Sequence, residues 1–254
     1  MSTAATKALR KPQAPALRRA ALGAAAGVGS VLLVAASTLP LAGQEPWGLL
    51  PALQALAVYA FGCVCMLMAL PAHAPHRRFG AANVLTLLRL AMIALLASLV
   101  GRTLPADPAP LAWAVVVFAT LTAVLDAADG PLARSQRLAS EFGARFDMEC
   151  DALLVAVLCL LIIQFDKAGA WVLAAGAMRY IFVLAARVWP WLGRPLFPSW
   201  RRKAVCVAQI TLLIVCLGPI IPRTASAWIA AAGLAMLTAS FGADLRWLYR
   251  FRRE

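Results

Sequence analysis

The feature that most constrains the fold is a series of eight apolar runs, each long enough to cross a lipid bilayer. A helix needs roughly 20 apolar residues to span about 30 Å of hydrocarbon, and lipid offers the backbone no hydrogen-bond partners outside a helix or a closed barrel. Composition agrees, because 63% of the chain is hydrophobic and only 14% is charged, against about 45–50% and about 25% in soluble proteins. We therefore predict an all-α, polytopic membrane helical bundle with about eight transmembrane helices, at residues 20–41, 48–70, 84–101, 111–128, 148–165, 170–192, 204–221 and 225–245.

The strongly basic charge of the chain, +13, would suggest nucleic acid in a soluble protein. In a membrane protein, cations accumulate in cytoplasmic loops, so we expect no nucleic-acid partner. With the N-terminus inside, 18 Lys and Arg residues fall in inner segments and three, Arg102, Lys167 and Arg223, in outer ones. This asymmetry predicts that both chain ends are cytoplasmic and that the protein resides in a bacterial inner membrane.

The first apolar run, residues 20–41, has two interpretations. Its preceding basic residues and small-residue end resemble a secretory signal. However, its 22 residues exceed the usual 7–15 of a signal core, so we favour a retained membrane anchor. Cleavage would leave the other seven helices in the same orientation.

Four of the seven aspartates fall within residues 126–151. Asp126 and Asp129 are spaced i,i+3 at the inner end of the fourth predicted helix, and Asp147 and Asp151 are spaced i,i+4 at the inner start of the fifth. Each spacing puts both carboxylates on one helix face. The short link between the helices therefore predicts that the four carboxylates meet at the cytoplasmic membrane surface.

Converging carboxylates in a partly dry site repel one another unless cations share them. Oxygen-only ligands suit Mg²⁺ or Mn²⁺, and two such ions can stabilise the attacking and leaving oxygens of an in-line displacement. Next to the aspartates, Gly130 and Ala133 lack bulk and would let a nucleotide approach the backbone, while the planar fork of Arg134 matches a phosphate. Solvated helix caps are the alternative, but carboxylates at a membrane are costly and usually functional.

The pattern D-x2-D-G-x2-A-R-x8-G-x3-D-x3-D, from Asp126 to Asp151, resembles the signature of the CDP-alcohol phosphatidyltransferases. All eight fixed positions are met, which at about 5% per position has a chance probability of roughly 10⁻⁸ over the chain. The resemblance implies a six-helix core, which would correspond here to residues 76–254. It says nothing about residues 1–75, where hydropathy and charge predict a cytoplasmic tail and two additional transmembrane helices. It also implies a homodimer that transfers a phosphatidyl group from CDP-diacylglycerol to an alcohol acceptor and releases CMP.

The same resemblance implies a role for each motif residue. Asp126, Asp129 and Asp147 would hold the metal ions, and Asp151 would join the second ion and act as the general base on the acceptor hydroxyl. The nucleotide would be lined by Gly130, Ala133, Arg134 and Gly143.

Two weaker segments fit the same family. Asn83, Thr86 and Arg89 match an N-x-x-T-x-x-R pattern that faces the nucleotide, although Asn83 is also a natural helix N-cap. Residues 199–209 resemble S-x-x-G-K-x-x-T-x-x-Q, with Lys203 and Gln209 in place. Here Arg202 replaces the usual Gly and Cys206 the usual Thr, and a cluster of inner-side cations explains the segment equally well.

The acceptor alcohol is predicted only from two arginines, Arg179 and Arg187, which lie inside the sixth predicted helix. A guanidinium in a membrane helix needs a partner, and a phosphate on the acceptor would be one. This favours glycerol 3-phosphate over a neutral alcohol. The alternative is that Arg179 pairs with a motif carboxylate or extends to the lipid headgroups.

Two other classes of function use acidic membrane helices. An intramembrane prenyltransferase binds diphosphate through Mg²⁺ and aspartates, but its two acidic motifs would be far apart in the chain. A cation transporter would carry its acidic site at mid-membrane, whereas these aspartates are predicted at the cytoplasmic edge. Release of CMP from a CDP-lipid would separate all three classes.

Overall fold

The computed structural model describes residues 14–38, 49–73, 78–135, 140–193 and 199–250. Within these ranges the protein contains eight α-helices, three short 3-10 helices and no strand. The α-helices correspond one to one with the eight predicted membrane segments. They are α1 (Ala14–Thr38), α2 (Leu49–Ala69), α3 (Ala81–Ala97), α4 (Ala109–Ser135), α5 (Glu141–Gln164), α6 (Leu173–Val188), α7 (Trp200–Leu217) and α8 (Arg223–Arg250).

Five helical segments among the described residues are long and apolar enough to cross a membrane, and α3 is apolar but shorter. Large apolar side chains such as Phe61, Met68 and Trp228 are exposed on the helices, as expected where lipid is the solvent. The protein is thus an integral membrane protein, as predicted. The five segments are Pro15–Ala36, Leu50–Ala69, Ala109–Ala127, Ala170–Val188 and Arg223–Arg250.

The chain divides into two compact units that interleave in sequence. The first comprises Met1–Leu99 and Leu121–Asp151, and the second comprises Val100–Thr120 and Ala152–Glu254. The motif from Asp126 to Asp151 lies entirely in the first unit. A functional division at residues 75 and 76 stays a prediction.

In the first unit, α3 is the most enclosed helix, with 12 of its 17 residues buried. It begins after Gly80, whose φ of 79° is a left-handed conformation that favours glycine. Asn83 is therefore the third residue of the helix and not its N-cap, so the capping interpretation of Asn83 is wrong. The N-cap of α3 is Gly80, which has no side chain to accept a hydrogen bond. The sequence pattern did not indicate this position for the cap.

Helix α5 begins at Glu141, seven residues before the predicted start at 148. The backbone N–H of Gly143 donates to Ser140 Oγ at 3.1 Å, which caps the first turn. Phe142 and Phe146 are buried one turn apart with ring centroids 6.0 Å apart. Polar motif residues interrupt the apolar run here, so hydropathy placed the start too late, whereas the i,i+4 aromatic pair continues the buried face.

In the second unit, α7 and α8 pack along a polar seam. At one end, Ser226 Oγ donates to the Cys216 carbonyl oxygen at 3.0 Å. At the other end, Arg201 donates to the Ser240 carbonyl oxygen at 2.8 Å and also pairs with Asp244. Hydrogen bonds between membrane helices hold them together where the hydrophobic effect does not.

Candidate active site

Three carboxylates from two helices converge in the first unit. Asp126 comes from α4, and Asp147 and Asp151 come from successive turns of α5. One oxygen from each lies within 4.8 Å of the others. The i,i+4 spacing puts the α5 pair on one face, and α4 brings the third group to it, as the sequence predicted for these three residues.

The guanidinium of Arg89, on α3, lies at the centre of these carboxylates. Its Nη1 is 2.6 Å from Asp126 Oδ1 and also contacts Asp147 Oδ1, while its Nη2 donates to Asp151 Oδ1 at 2.6 Å. The Arg89 side chain is 0% exposed, whereas the carboxylates remain 17–35% exposed. One buried cation therefore holds the acidic groups of α4 and α5 together while solvent still reaches them.

Sequence reasoning did not predict this role for Arg89. The sequence places this residue only in the N-x-x-T-x-x-R pattern. The available signal was physical: an arginine in an apolar helix needs a partner, and four aspartates were nearby candidates. The spacing of residues along the sequence does not determine how α3 is rotated about its own axis relative to α4 and α5.

The charge of the cluster suits a divalent cation. Among the described side chains, three carboxyl groups and one guanidinium give the cluster a formal charge of −2 when all are ionised. The ligands are all hard oxygens, and their partial exposure leaves a path for an ion. These residues therefore fit a divalent metal ion, with Asp126, Asp147 and Asp151 as its ligands. Asp129 lies on α4 about one turn after Asp126, but its side chain lies outside the described residues.

Three further predicted site residues lie on the same helices as the cluster: Asn83 and Thr86 precede Arg89 on α3, and Gly143 lies one turn before Asp147 on α5. Asn83 Nδ2 donates to the Phe79 carbonyl oxygen, and Thr86 Oγ1 donates to the Ala82 carbonyl oxygen at 3.1 Å. Both side chains are buried and follow the face of α3 that carries Arg89. A Cβ on Gly143 would lie 3.3 Å from Asn83 Oδ1, so the glycine lets the starts of α3 and α5 approach closely.

The remaining predicted site residues are less completely described. Gly130, Ala133 and Arg134 lie on the helical backbone of α4, and their side chains are outside the described residues. Lys203 lies in the first turn of α7 in the second unit and is exposed, with Nζ 5.8 Å from the centre of the Trp200 ring.

Together, the membrane-spanning helices and the oxygen-lined cation site define a membrane-embedded protein with a carboxylate centre that can bind metal. The model of the family described as CDP-alcohol phosphatidyltransferase matches residues 79–239, well over half of the chain. The chain belongs to this family, which confirms the resemblance of the motif. It is accordingly a transferase of phospholipid biosynthesis, and its first two helices lie outside the family match.

Two curated relatives carry the name "probable phosphatidylglycerophosphate synthase", from Mycobacterium tuberculosis strains CDC 1551 / Oshkosh and ATCC 25618 / H37Rv. Each is 30% identical over 167 residues, which cover 64% of this chain and 78% of the relative. No solved structure matches the chain.

Proposed function

We propose that this enzyme transfers the phosphatidyl group of CDP-diacylglycerol to the hydroxyl of glycerol 3-phosphate and releases CMP. The observation that carries the proposal is the convergence of Asp126, Asp147 and Asp151 within 4.8 Å on the segment that bears the family motif. Phosphoryl transfer depends on positioning and charge neutralisation, and this cluster supplies carboxylates that would hold the neutralising metal ions.

Asp126, Asp129, Asp147 and Asp151 would hold two Mg²⁺ or Mn²⁺ ions, which neutralise the charge of the diphosphate when bound. Gly130, Ala133, Arg134 and Gly143 would line the nucleotide, with Asn83 and Thr86 on the adjoining face of α3. Lys203 is assigned to the substrate pocket on its motif position alone.

Asp151 would act as the general base. The acceptor oxygen forms a P–O bond with the phosphatidyl phosphorus, the P–O bond to CMP breaks, and the hydroxyl proton passes to the Asp151 carboxylate. At 17% exposure, this carboxylate is shielded from bulk water but still accessible to a substrate. Arg89 Nη2, 2.6 Å from Asp151 Oδ1, would hold this carboxylate in place.

The choice of glycerol 3-phosphate rests on two supports. The relatives' name denotes synthesis of phosphatidylglycerophosphate, and α6 carries Arg179, which is partly buried, and Arg187, which is exposed. Arg forks bind phosphate through charge-assisted hydrogen bonds. We therefore expect Arg179→Ala and Arg187→Ala to raise the KM for glycerol 3-phosphate at saturating CDP-diacylglycerol. Efficient use of free inositol with glycerol 3-phosphate inert would overturn this choice.

We also propose that the site faces the cytoplasm of a bacterial inner membrane and that the enzyme works as a homodimer. The 18 inner cations against three outer ones support the orientation. Light scattering of the protein in detergent, with the detergent mass subtracted, would measure the oligomeric state.

The deciding experiment is an assay of the purified protein with CDP-diacylglycerol and a panel of alcohols, reading CMP and the lipid product. We expect CMP release with glycerol 3-phosphate, dependent on Mg²⁺ or Mn²⁺ and abolished by a chelator. No CMP release in the presence of metal, or full turnover without metal, would refute the proposal.

A further inference from the structure

The first two helices, α1 and α2, lie outside the family match but pack against α3, the helix that carries Arg89. We call them the N-terminal helix pair. With 12 of its 17 residues buried, α3 is enclosed, and Arg89 extends from it into the carboxylate cluster. Any force that α1 and α2 exert on α3 therefore acts on the position of the guanidinium.

One contact between the N-terminal helix pair and α3 leaves no room for a side chain: Gly62 of α2 lies against Leu90 of α3. A Cβ built on Gly62 would lie 2.6 Å from Leu90 Cδ2 and 2.8 Å from Leu90 Cδ1. Carbon atoms in contact normally lie about 3.5–4.0 Å apart, so only a residue without a Cβ fits against Leu90 at this position. Leu90 is 2% exposed, which leaves it little room to move, and it is the residue immediately after Arg89.

Two hydrogen bonds fix the N-terminal helix pair around this contact. Gln54 Nε2, on α2, donates to the carbonyl oxygen of Ala97 at the end of α3 at 2.9 Å. Tyr59 Oη, also on α2, donates to the carbonyl oxygen of Ala25 on α1 at 2.9 Å. Polar groups in lipid have few alternative partners. The first hydrogen bond therefore fixes the position of α2 along the axis of α3, and the second holds α1 against α2.

We infer that the N-terminal helix pair is a positioning element for Arg89 and that the Gly62–Leu90 contact transmits its effect. The relevance of this role to catalysis rests on the proposed function, whereas the effect on the carboxylate cluster does not. Gly62 and Leu90 are positioning residues, since they act on the site only through Arg89.

The test is Gly62→Val in the full-length protein, with two readouts. The new side chain would displace Leu90, and we expect the enclosed helix α3 to move with it; a misplacement of about 1 Å can lower kcat on the order of 10²-fold. Withdrawing the guanidinium from the carboxylates also weakens its competition with a metal ion. We therefore expect Mn²⁺, titrated by electron paramagnetic resonance without substrate, to bind several-fold more tightly. A general loosening of the fold would instead weaken Mn²⁺ binding.

Two controls sharpen the comparison. Gly27→Val, on α1, makes the same substitution where a Cβ meets nothing within 4 Å, and it should leave both readouts unchanged. Leu90→Ala removes the three atoms that Gly62→Val would meet, so the double variant should return kcat and Mn²⁺ affinity toward the values of Leu90→Ala alone.

Wild-type kcat and Mn²⁺ affinity in Gly62→Val would overturn the inference, as would weakened Mn²⁺ binding or no recovery in the double variant. If the wild-type protein released no CMP, the proposed function would fail. The Mn²⁺ titration would still decide whether the N-terminal helix pair sets the position of Arg89.

Discussion

Replacing Arg89 with methionine keeps an unbranched apolar stem and removes the guanidinium with its charge. The carboxylates of Asp126, Asp147 and Asp151 would then lie within 4.8 Å of one another without the guanidinium that now contacts all three. Removing one partner of a buried ion pair costs about 3–5 kcal/mol. Because Asp147 is 35% exposed, we expect the lower end, about 3 kcal/mol. For a chain of this size, that lowers Tm by about 6–12 °C.

The measurement is thermal unfolding in detergent, first with a chelator and then with added Mg²⁺. A ligand at 100 times its Kd stabilises the folded state by about 2.7 kcal/mol, so Mg²⁺ should restore most of the loss in Arg89→Met. Because the variant has lost the competing cation, Mg²⁺ should raise its Tm more than that of the wild-type protein.

The matched control is Arg223→Met, which breaks an ion pair of similar length, 2.7 Å to Asp166, between side chains that are 63% and 70% exposed. Exposed pairs contribute about 0–1 kcal/mol, so its Tm should change little. Equal Tm losses for the two variants in chelator, or an equal gain from Mg²⁺ in Arg89→Met and wild type, would refute the proposed role of Arg89.

Three further predictions concern the site and its orientation. Asp151→Asn should lower kcat by about 10²–10⁴-fold with CDP-lipid binding retained, and a wild-type rate for this variant would remove Asp151 from the mechanism. Asp126→Asn should lower kcat and also weaken Mn²⁺ binding. Gly143→Ala should be tolerated and Gly143→Val should lose activity, because a Cβ at this position would lie 3.3 Å from Asn83 Oδ1 and leave no room for a larger side chain. Steady-state assays of the two variants, checked for equal folding, measure the difference. A reporter fused after Glu254 should be cytoplasmic and one near Asp107 external; an external C-terminus would contradict the orientation.

The number and type of helices could be predicted from the sequence, because the cost of unpaired backbone groups in lipid forces each long apolar run into a helix. The ends of the helices were less predictable where function alters the pattern. Helix α4 continues to Ser135, past the predicted end at 128, and α5 begins at Glu141. In both places, polar motif residues lower the hydropathy of turns that remain helical.

The convergence of Asp126 with Asp147 and Asp151 was predictable because helical spacing and a short link determine it. The contact of Arg89 with the same group was not, since 58 residues separate it from Asp147 and no local pattern sets how α3 is rotated. The close approach of Asn83 and Gly143 has the same origin: it depends on the packing of two helices and not on either sequence segment alone.

The polar seam between α7 and α8 has a consequence for how the protein is made. Gln209 is 2% exposed, its amide atoms have no hydrogen-bond partner among the described residues, and a Cβ on Gly233 of α8 would lie 2.9 Å from its Oε1. Before α8 is synthesised, α7 would present this amide to lipid or to the insertion machinery, at considerable cost. We expect the nascent chain to hold α7 at the translocation channel until α8 emerges, so that the two helices enter the bilayer as a pair.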